Sequence, residues 1–304
     1  MTERELFAFL GHSLESDSSV ALKPPRLPAF RWEIGPLYKV QYVIEFVGGQ
    51  LIPSGHAKAL FDVKQQASYG YPEMFVTVPG QKRWQKLWAG DDAVVYDSLA
   101  FAWDFIKAGR FLTAQSANEL LQRCERLAQS WNRRAIPLPH PKDVDAVVKN
   151  LLDVQSSLDI GVELFLPFQE TLQVLSTGYR LGFRIYESGF LEWRVMGWEG
   201  SLLEVRPLDE HESFDLKSHP KIEGISIGYS LPRSPSPSEL MERLFVAAEV
   251  FADVGNVSIE DADGRLFTEK TKSEYRENLR KALEQFKIIG LEPGSPEALK
   301  IFSS

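Results

Sequence analysis

The stretch Ile225-Ser226-Ile227-Gly228-Tyr229-Ser230-Leu231 decides the fold prediction, because large apolar residues in it alternate with small or polar ones. Successive side chains of a β-strand point to opposite faces, so this alternation predicts a strand with one bulky face and one small face. Leu99-Ala100-Phe101-Ala102-Trp103-Asp104-Phe105 repeats the pattern earlier in the chain. The sequence therefore predicts two similar strands, each rich in the β-branched or aromatic residues that favour sheets.

A long amphipathic helix is predicted after each of these strands. Glu119–Trp131 aligns without gaps with Glu239–Phe251, and Glu, Leu, Arg and the later Ala coincide. The first helix is predicted to begin at Ser116, which forms a capping box with Glu119. The offset of 120 residues (239 minus 119) and a similar element order indicate an internal duplication. Chance is the alternative, since amphipathic helices resemble one another.

The order of predicted elements gives the fold class and the domain organisation. Each copy begins with a strand, Tyr38–Phe46 or Gly161–Phe168, and in the first copy Pro53-Ser54 opens a helix that continues to about Ser68. The fold class is α+β, with two tandem modules, each an antiparallel sheet with helices on one face. The predicted segments are an N-terminal helix and Ser/Pro-rich arm, a divergent first module, a second module and a C-terminal tail, at residues 1–36, 37–157, 158–290 and 291–304.

The second copy contains a recognisable set of residues: Phe214-Asp215, Gly224-Ile225, Pro232, Ala252-Asp253, Val257, Asp261, Thr268 and Tyr275. On these residues, the region Phe214–Leu283 resembles the latter half of the C-terminal domain of the cell-division protein ZipA. That resemblance implies an antiparallel sheet with helices on one face, and binding of the C-terminal peptide of the tubulin-like protein FtsZ in a hydrophobic cleft on the other face. ZipA-type proteins carry one such domain, whereas this chain is predicted to carry two.

Three interpretations of the bulky strand faces stay open. In the first, the bulky face is the core and the small face meets water. In the second, helices pack on the small face and the bulky face is an open apolar platform for a peptide, as the resemblance implies for Ile227 and Tyr229. In the third, the two sheets bury both platforms against each other. The second interpretation predicts these partner-binding residues: Ile225, Ile227, Tyr229, Trp193, Phe101 and Trp103.

Residues that could carry chemistry are few and scattered. None of the five histidines forms a metal-ligand pair with another, and Cys124 is predicted to be a partly buried structural cysteine. Asp261, Asp263 and Gly264 resemble part of a calcium loop, but the glutamate at its twelfth position is missing, so a hairpin turn is the better interpretation. No phosphate-binding glycine loop or nucleophile elbow is present. We therefore expect no catalytic residues, no metal and no cofactor.

Composition limits the partners and the location of the protein. The net charge of −8 argues against a nucleic-acid binder, which needs a basic face. No stretch approaches the roughly 20 apolar residues that span a bilayer, and a single cysteine is typical of a reducing compartment, so a cytoplasmic protein is expected. The sequence predicts a non-enzymatic interaction module with a protein or peptide partner, for which the FtsZ tail is the candidate. An adaptor or immunity-type protein with another partner is the alternative, and the oligomeric state is left open.

Overall fold

The computed structural model describes residues 20–27, 35–81, 83–88, 93–208, 213–214 and 222–302. Within this part of the chain there are two compact units. The first unit comprises residues 35–158 and 295–302, and the second comprises residues 20–27 and 159–294. Both combine antiparallel strands with helices, so the predicted α+β class is confirmed. The predicted N-terminal helix lies outside the described residues.

The first unit is built on a five-stranded antiparallel sheet in the order β4-β3-β6-β1-β9, with two small strand pairs beside it. Its strands are β1 (Gln41–Val47), β2 (Ile52–Pro53), β3 (Glu73–Thr77), β4 (Gln85–Lys86), β5 (Val95–Tyr96), β6 (Ser98–Asp104), β7 (Ile106–Lys107), β8 (Arg110–Phe111) and β9 (Arg134–Leu138). Its helices are α1 (Ser54–Lys58), α2 (Val63–Ser68), α3 (Ala114–Ser130) and α4 (Val144–Leu158), with 3-10 turns at Ala59–Phe61 and Pro141–Asp143.

Two helix boundaries in the first unit differ from the prediction. The helix predicted to continue to about Ser68 is interrupted at Asp62, whose extended backbone and Oδ1 atom, 2.9 Å from the backbone N of Lys64, begin a new helix. Helix α3 begins earlier than predicted, because Thr113 is its N-cap and accepts a hydrogen bond from the backbone N–H of Ser116. Ser116 is therefore the third helical residue and not the cap.

The core of the first unit lies between its sheet and helices α3 and α4. Phe101 and its neighbours on the bulky face of β6 pack with Tyr42 of β1 and with Leu120 and Cys124 of α3. The Tyr42 hydroxyl donates a hydrogen bond to the Ala117 carbonyl of α3 at 3.3 Å. The bulky face is thus the helix-covered face, as the first interpretation predicted.

The small face of the same sheet does not meet water, which corrects the second half of that interpretation. Ala100 and Ala102 are fully buried with Val43 and Phe75, and the partly buried Trp84 packs against them. Small side chains leave room for a large neighbour, and Trp84 packs against this face. The sheet of the first unit therefore carries buried apolar side chains on both faces.

The second unit has a five-stranded antiparallel sheet in the order β10-β14-β13-β12-β11. Its strands are β10 (Gly161–Leu166), β11 (Arg184–Ile185), β12 (Leu191–Trp193), β13 (Leu203–Pro207) and β14 (Ile225–Ser230), and its helices are α5 (Thr171–Leu181), α6 (Pro237–Gly255) and α7 (Glu269–Ile289). Glu260 adds a single bridge to the outer edge of β10 at Phe165. The predicted hairpin turn is confirmed: Asp261 and Arg265 pair across it, and Gly264 takes the left-handed φ of 73°.

The two sheets share part of their topology. In each, the first strand lies between the last strand of the five-stranded sheet before the long helix and the segment that follows this helix. Thus β1 lies between β6 and β9, and β10 lies between β14 and Glu260. The outer strands differ, because β3 and then β4 follow β6, whereas β13, β12 and β11 follow β14 in reverse chain order. The long helices α3 and α6 bury side chains at positions 120 residues apart, namely Leu120 and Leu240, Cys124 and Leu244, and Ala128 and Ala248.

The two ends of the described chain lie in different units. Residues 22–27 run along the second unit, where the backbone N–H of Leu22 donates to the Leu181 carbonyl at 3.0 Å and Arg243 donates to the Lys23 carbonyl at 2.8 Å. Near the C-terminus, helix α8 (Pro296–Ile301) belongs to the first unit. Its Lys300 ammonium lies 2.8 Å from an Asp104 carboxylate oxygen. The segment predicted as a tail therefore contributes a helix to the first unit.

Candidate functional site

The predicted partner-binding residues of the second unit lie under its own helices. Ile225 and Ile227 are fully buried, and Trp193 and Tyr229 are at most 6% exposed. The Tyr229 hydroxyl donates to the Pro237 carbonyl at the start of α6 (3.1 Å), and the Trp193 indole packs against Gly182 at the end of α5. The bulky face of this sheet is therefore the core, and the open platform of the second interpretation is not what the structure shows here.

The two predicted residues of the first unit are buried in the same way. Phe101 is fully buried, with its ring 4.9 Å from that of Phe46 and 5.4 Å from that of Tyr69. Trp103 is 8% exposed, and its indole N–H donates to the Tyr69 carbonyl at 2.9 Å. Neither side chain is available to a partner in this structure. The third interpretation is not needed to explain the burial, since helices of the same unit cover each bulky face.

A cleft of about 550 Å³ opens instead at the edge of the second sheet, beside the first half of β10. Its wall opposite the strand is one face of α7, with Tyr275, Leu279 and Ala282. Its floor is apolar because Val162, Leu231 and Met241, all at most 7% exposed, reach it from the core. The remaining lining residues are Ile160, Gly161, Glu163, Asp261, Ala262, Asp263, Arg265 and Asn278.

The turn at one end of the cleft is held by Asp261, whose side chain is almost fully buried. Its Oδ1 accepts the backbone N–H groups of Asp263 and Arg265, both at 2.9 Å, and its Oδ2 accepts the Arg265 Nε–H at 2.8 Å. Burial alone would raise the pKa of Asp261, but the hydrogen bonds from Arg265 and Asp263 outweigh burial and lower it. Both carboxylate oxygens are therefore occupied within the turn.

Tyr275 joins the helical wall of the cleft to the strand. Its hydroxyl donates to the Glu163 carbonyl at 3.1 Å, and its ring packs edge-on against Phe245 and Phe267. Burial raises the pKa of Tyr275 to about 12, so the phenol stays neutral and remains a hydrogen-bond donor at neutral pH. The three aromatic rings fix the position of the wall.

The cleft gathers several ionisable groups, but their geometry is that of structural contacts. A general base or nucleophile needs a free lone pair directed at a substrate. Asp261 directs both of its oxygens at the turn, and Tyr275 is bonded to a backbone carbonyl. Three carboxylates and one guanidinium line the cleft, which makes it acidic. Among the described residues, no group of three or more His, Cys, Asp or Glu is placed to hold a metal ion.

A second, shallower pocket of about 450 Å³ lies in the first unit, beside His56. The His56 imidazole stacks on Trp131 with a centroid distance of 6.3 Å and an interplanar angle of 18°. Cys124 lies on the buried face of α3, and burial raises the pKa of its thiol, so the reactive thiolate is disfavoured. Neither feature assembles a set of chemically active groups. The imidazoles of His12, His211 and His219 lie outside the described residues.

The sequence predicted the hairpin turn at Asp261, Asp263 and Gly264 but did not bring it together with strand β10 and helix α7. The cleft depends on the short pairing of Glu260 with β10, which leaves the first half of that strand uncovered. A weak signal was available: charged Glu163 interrupts the apolar residues of Gly161–Phe168, as is typical of an exposed sheet edge.

Replacing Asp261 by asparagine is expected to lower the free energy of unfolding of the second unit by about 1–2 kcal/mol at pH 7, because the ion pair with Arg265 is lost. The folded-state pKa of Asp261 lies below its unfolded value, so its contribution is complete above about pH 4 and is lost as pH falls through the folded pKa. The difference between wild type and Asp261→Asn should therefore shrink below about pH 4. Urea unfolding at a series of pH values measures this. Asp263→Asn, at a mostly exposed position, is the control, and an equal effect of both variants would contradict the assignment.

No family model matches the chain, and no curated protein matches it either. The fold and the cleft define an α+β protein with antiparallel sheets, helices packed on them and an acidic cleft at one sheet edge. Within the described part of the chain, no helix is both long enough and apolar enough to cross a membrane.

Proposed function

We propose that this chain is a non-enzymatic interaction protein that binds a segment of another protein in the cleft of the second unit. The observation that carries the proposal is the cleft itself: it is about 550 Å³ in volume, has an apolar floor and adjoins β10 at the exposed residues Gly161 and Glu163. Its polar groups Asp261 and Tyr275 are bound internally, so they shape the cleft and are not poised for catalysis. Such a surface suits a peptide better than a small reactive substrate.

The resemblance to the ZipA C-terminal domain supports an interaction role, and the tandem arrangement belongs to the same proposal. The second unit has the antiparallel sheet with helices over one face that the resemblance implies. The shared position of β1 and β10, and the matching buried positions of α3 and α6, support a duplication in which the outer strands diverged. Two related units in one chain would raise avidity for a partner that presents many copies of one segment.

The FtsZ tail is the first peptide to test, and a cell-division role rests on it. A fluorescent FtsZ C-terminal peptide titrated with the full chain is expected to bind with a submillimolar Kd, measured by anisotropy. Ala282→Arg should weaken binding about tenfold, because the long side chain fills the cleft from the wall. Gln285→Arg, at an exposed position of the same helix, should bind as wild type. No binding at submillimolar concentration would exclude the FtsZ assignment.

An adaptor or immunity-type protein with an unrelated partner is the second candidate, and one observation favours it. Ile227 and Tyr229, which in the ZipA comparison correspond to positions facing the peptide, are buried under helices here, while the open cleft is acidic. The partner would then be recognised by its own chemistry and not by that of the FtsZ tail. Binding of another protein segment in the cleft, together with failure of the FtsZ peptide, would establish this candidate.

A further inference from the structure

The outer edge of β10 has backbone groups without partners. Phe165 exchanges both of its backbone hydrogen bonds with Glu260, each at 2.8 Å, so its N–H and C=O point away from β14. Because backbone directions alternate along a strand, Glu163 and Gly161 point the same way, and the bond from Tyr275 to the Glu163 carbonyl agrees with this. Within the described residues, the Glu163 N–H and the Gly161 N–H and C=O have no hydrogen-bond partner. Both residues are exposed.

The first unit shows what covers the corresponding edge when pairing is complete. There, β9 pairs with β1 from Val43 to Val47, and Val43 lies opposite Leu138. Glu163 corresponds to Val43 at the 120-residue offset (163 minus 43), and both residues lie opposite a small residue of the next strand, Gly228 or Ala102. In the second unit the chain turns away at Asp261 after one bridge. The second sheet therefore lacks the strand residues that would pair with Glu163.

The charges beside this edge indicate which kind of segment can pair with it. The exposed Glu163 carboxylate forms no ion pair with any described residue, and the exposed carboxylate of Asp263 also lines the cleft. Pairing of two copies through this edge would bring two Glu163 side chains together in a protein of net charge −8, which is unfavourable. A segment with a lysine or arginine beside apolar residues satisfies both the acidic rim and the apolar floor.

We propose that the edge of β10 between Gly161 and Glu163 accepts an extended segment of a partner protein by strand addition. The segment receives a hydrogen bond from the Glu163 N–H and donates one to the Gly161 carbonyl, places a basic residue near Glu163 and directs apolar side chains to the cleft floor. This inference rests on the proposed function and specifies its binding mode and the chemistry of the partner.

The test uses the full chain and a display library of random eight-residue peptides. Selection is expected to enrich peptides with lysine or arginine flanked by apolar residues, and individual enriched peptides are then titrated. Glu163→Pro removes the outward N–H, and no hydrogen bond within the sheet is lost, because proline is tolerated on the outer side of an edge strand. Glu163→Ala keeps the N–H and removes only the charge. Glu163→Ala should weaken binding about threefold at low salt, and Glu163→Pro about a further tenfold.

The possible outcomes distinguish strand addition at β10 from peptide binding in the cleft. If peptides bind wild type and Glu163→Pro equally, strand addition is wrong while peptide binding stands. If the library yields no binder, both fail. If the proline variant does not fold, as judged by circular dichroism, hydrogen exchange of wild type is used instead. A bound peptide should slow exchange of the Glu163 amide at least tenfold, and unchanged exchange at that amide would overturn strand addition.

Discussion

Replacing Phe101 by alanine is expected to lower the free energy of unfolding of the first unit by about 3–5 kcal/mol. The Phe101 ring is fully buried and lies between the rings of Phe46, Tyr69 and Trp103, with centroid distances of 4.9, 5.4 and 6.0 Å. Alanine removes the ring and leaves a cavity that the β6 backbone, paired on both sides, cannot close. The destabilisation therefore combines lost burial with lost contacts.

Urea unfolding monitored by circular dichroism measures this loss, with Trp88→Ala as the control. Trp88 is 63% exposed, and its contact with the Lys86 ammonium, 5.6 Å from the ring centroid, is worth no more than about 1 kcal/mol. The same pair of variants tests whether the bulky face of β6 is a helix-covered core or an open platform for a partner. A Phe101→Ala protein with wild-type stability but impaired binding would support the open platform and contradict the helix-covered core.

The alternation of β6 and β14 was sufficient to predict the two strands and their bulky faces, but not what covers those faces. Alternation shows only that side chains of one kind share a face. Either a helix of the same chain or a bound peptide could cover the bulky face of such a strand. The outcome depended on packing against helices: Tyr42 contacts α3, 75 residues later in the chain, and Tyr229 contacts the start of α6. The resemblance indicated the opposite facing, and the packing corrected it.

Strand β9, helix α8 and the cleft have no strong local pattern in the sequence. Strand β9 depends on pairing with β1, about 90 residues earlier, which no local pattern indicates. Helix α8 is too short to be recognised by periodicity, and it is fixed by the ion pairs of Lys300 with Asp104 and Glu73. The cleft could not be predicted either, because it arises from pairing that stops after a single bridge. Elements with strong local patterns were predicted, and those specified by long-range contacts were not.

Replacing Arg133 by alanine is expected to lower the free energy of unfolding of the first unit by about 3–4 kcal/mol. Arg133 is 6% exposed, and its guanidinium donates to three backbone carbonyls: Phe46 at 2.7 Å, Asp97 at 2.8 Å and Gln50. These carbonyls lie at the end of β1, in the loop that follows it and just before β6. Alanine would leave them without their donor, and a buried acceptor without a partner is destabilising.

The neighbouring residue supplies a matched control for Arg133. Arg134, the first residue of β9, is exposed, so Arg134→Ala should change the free energy of unfolding by less than about 0.5 kcal/mol. Arg133→Lys keeps the charge but cannot reach three acceptors in one plane, so it should lie between wild type and alanine. Gly48 supports the same assignment, because an added Cβ there would lie 2.7 Å from the Arg133 Cγ. If Arg133→Ala and Arg134→Ala unfold at the same urea concentration, the guanidinium does not hold these segments together.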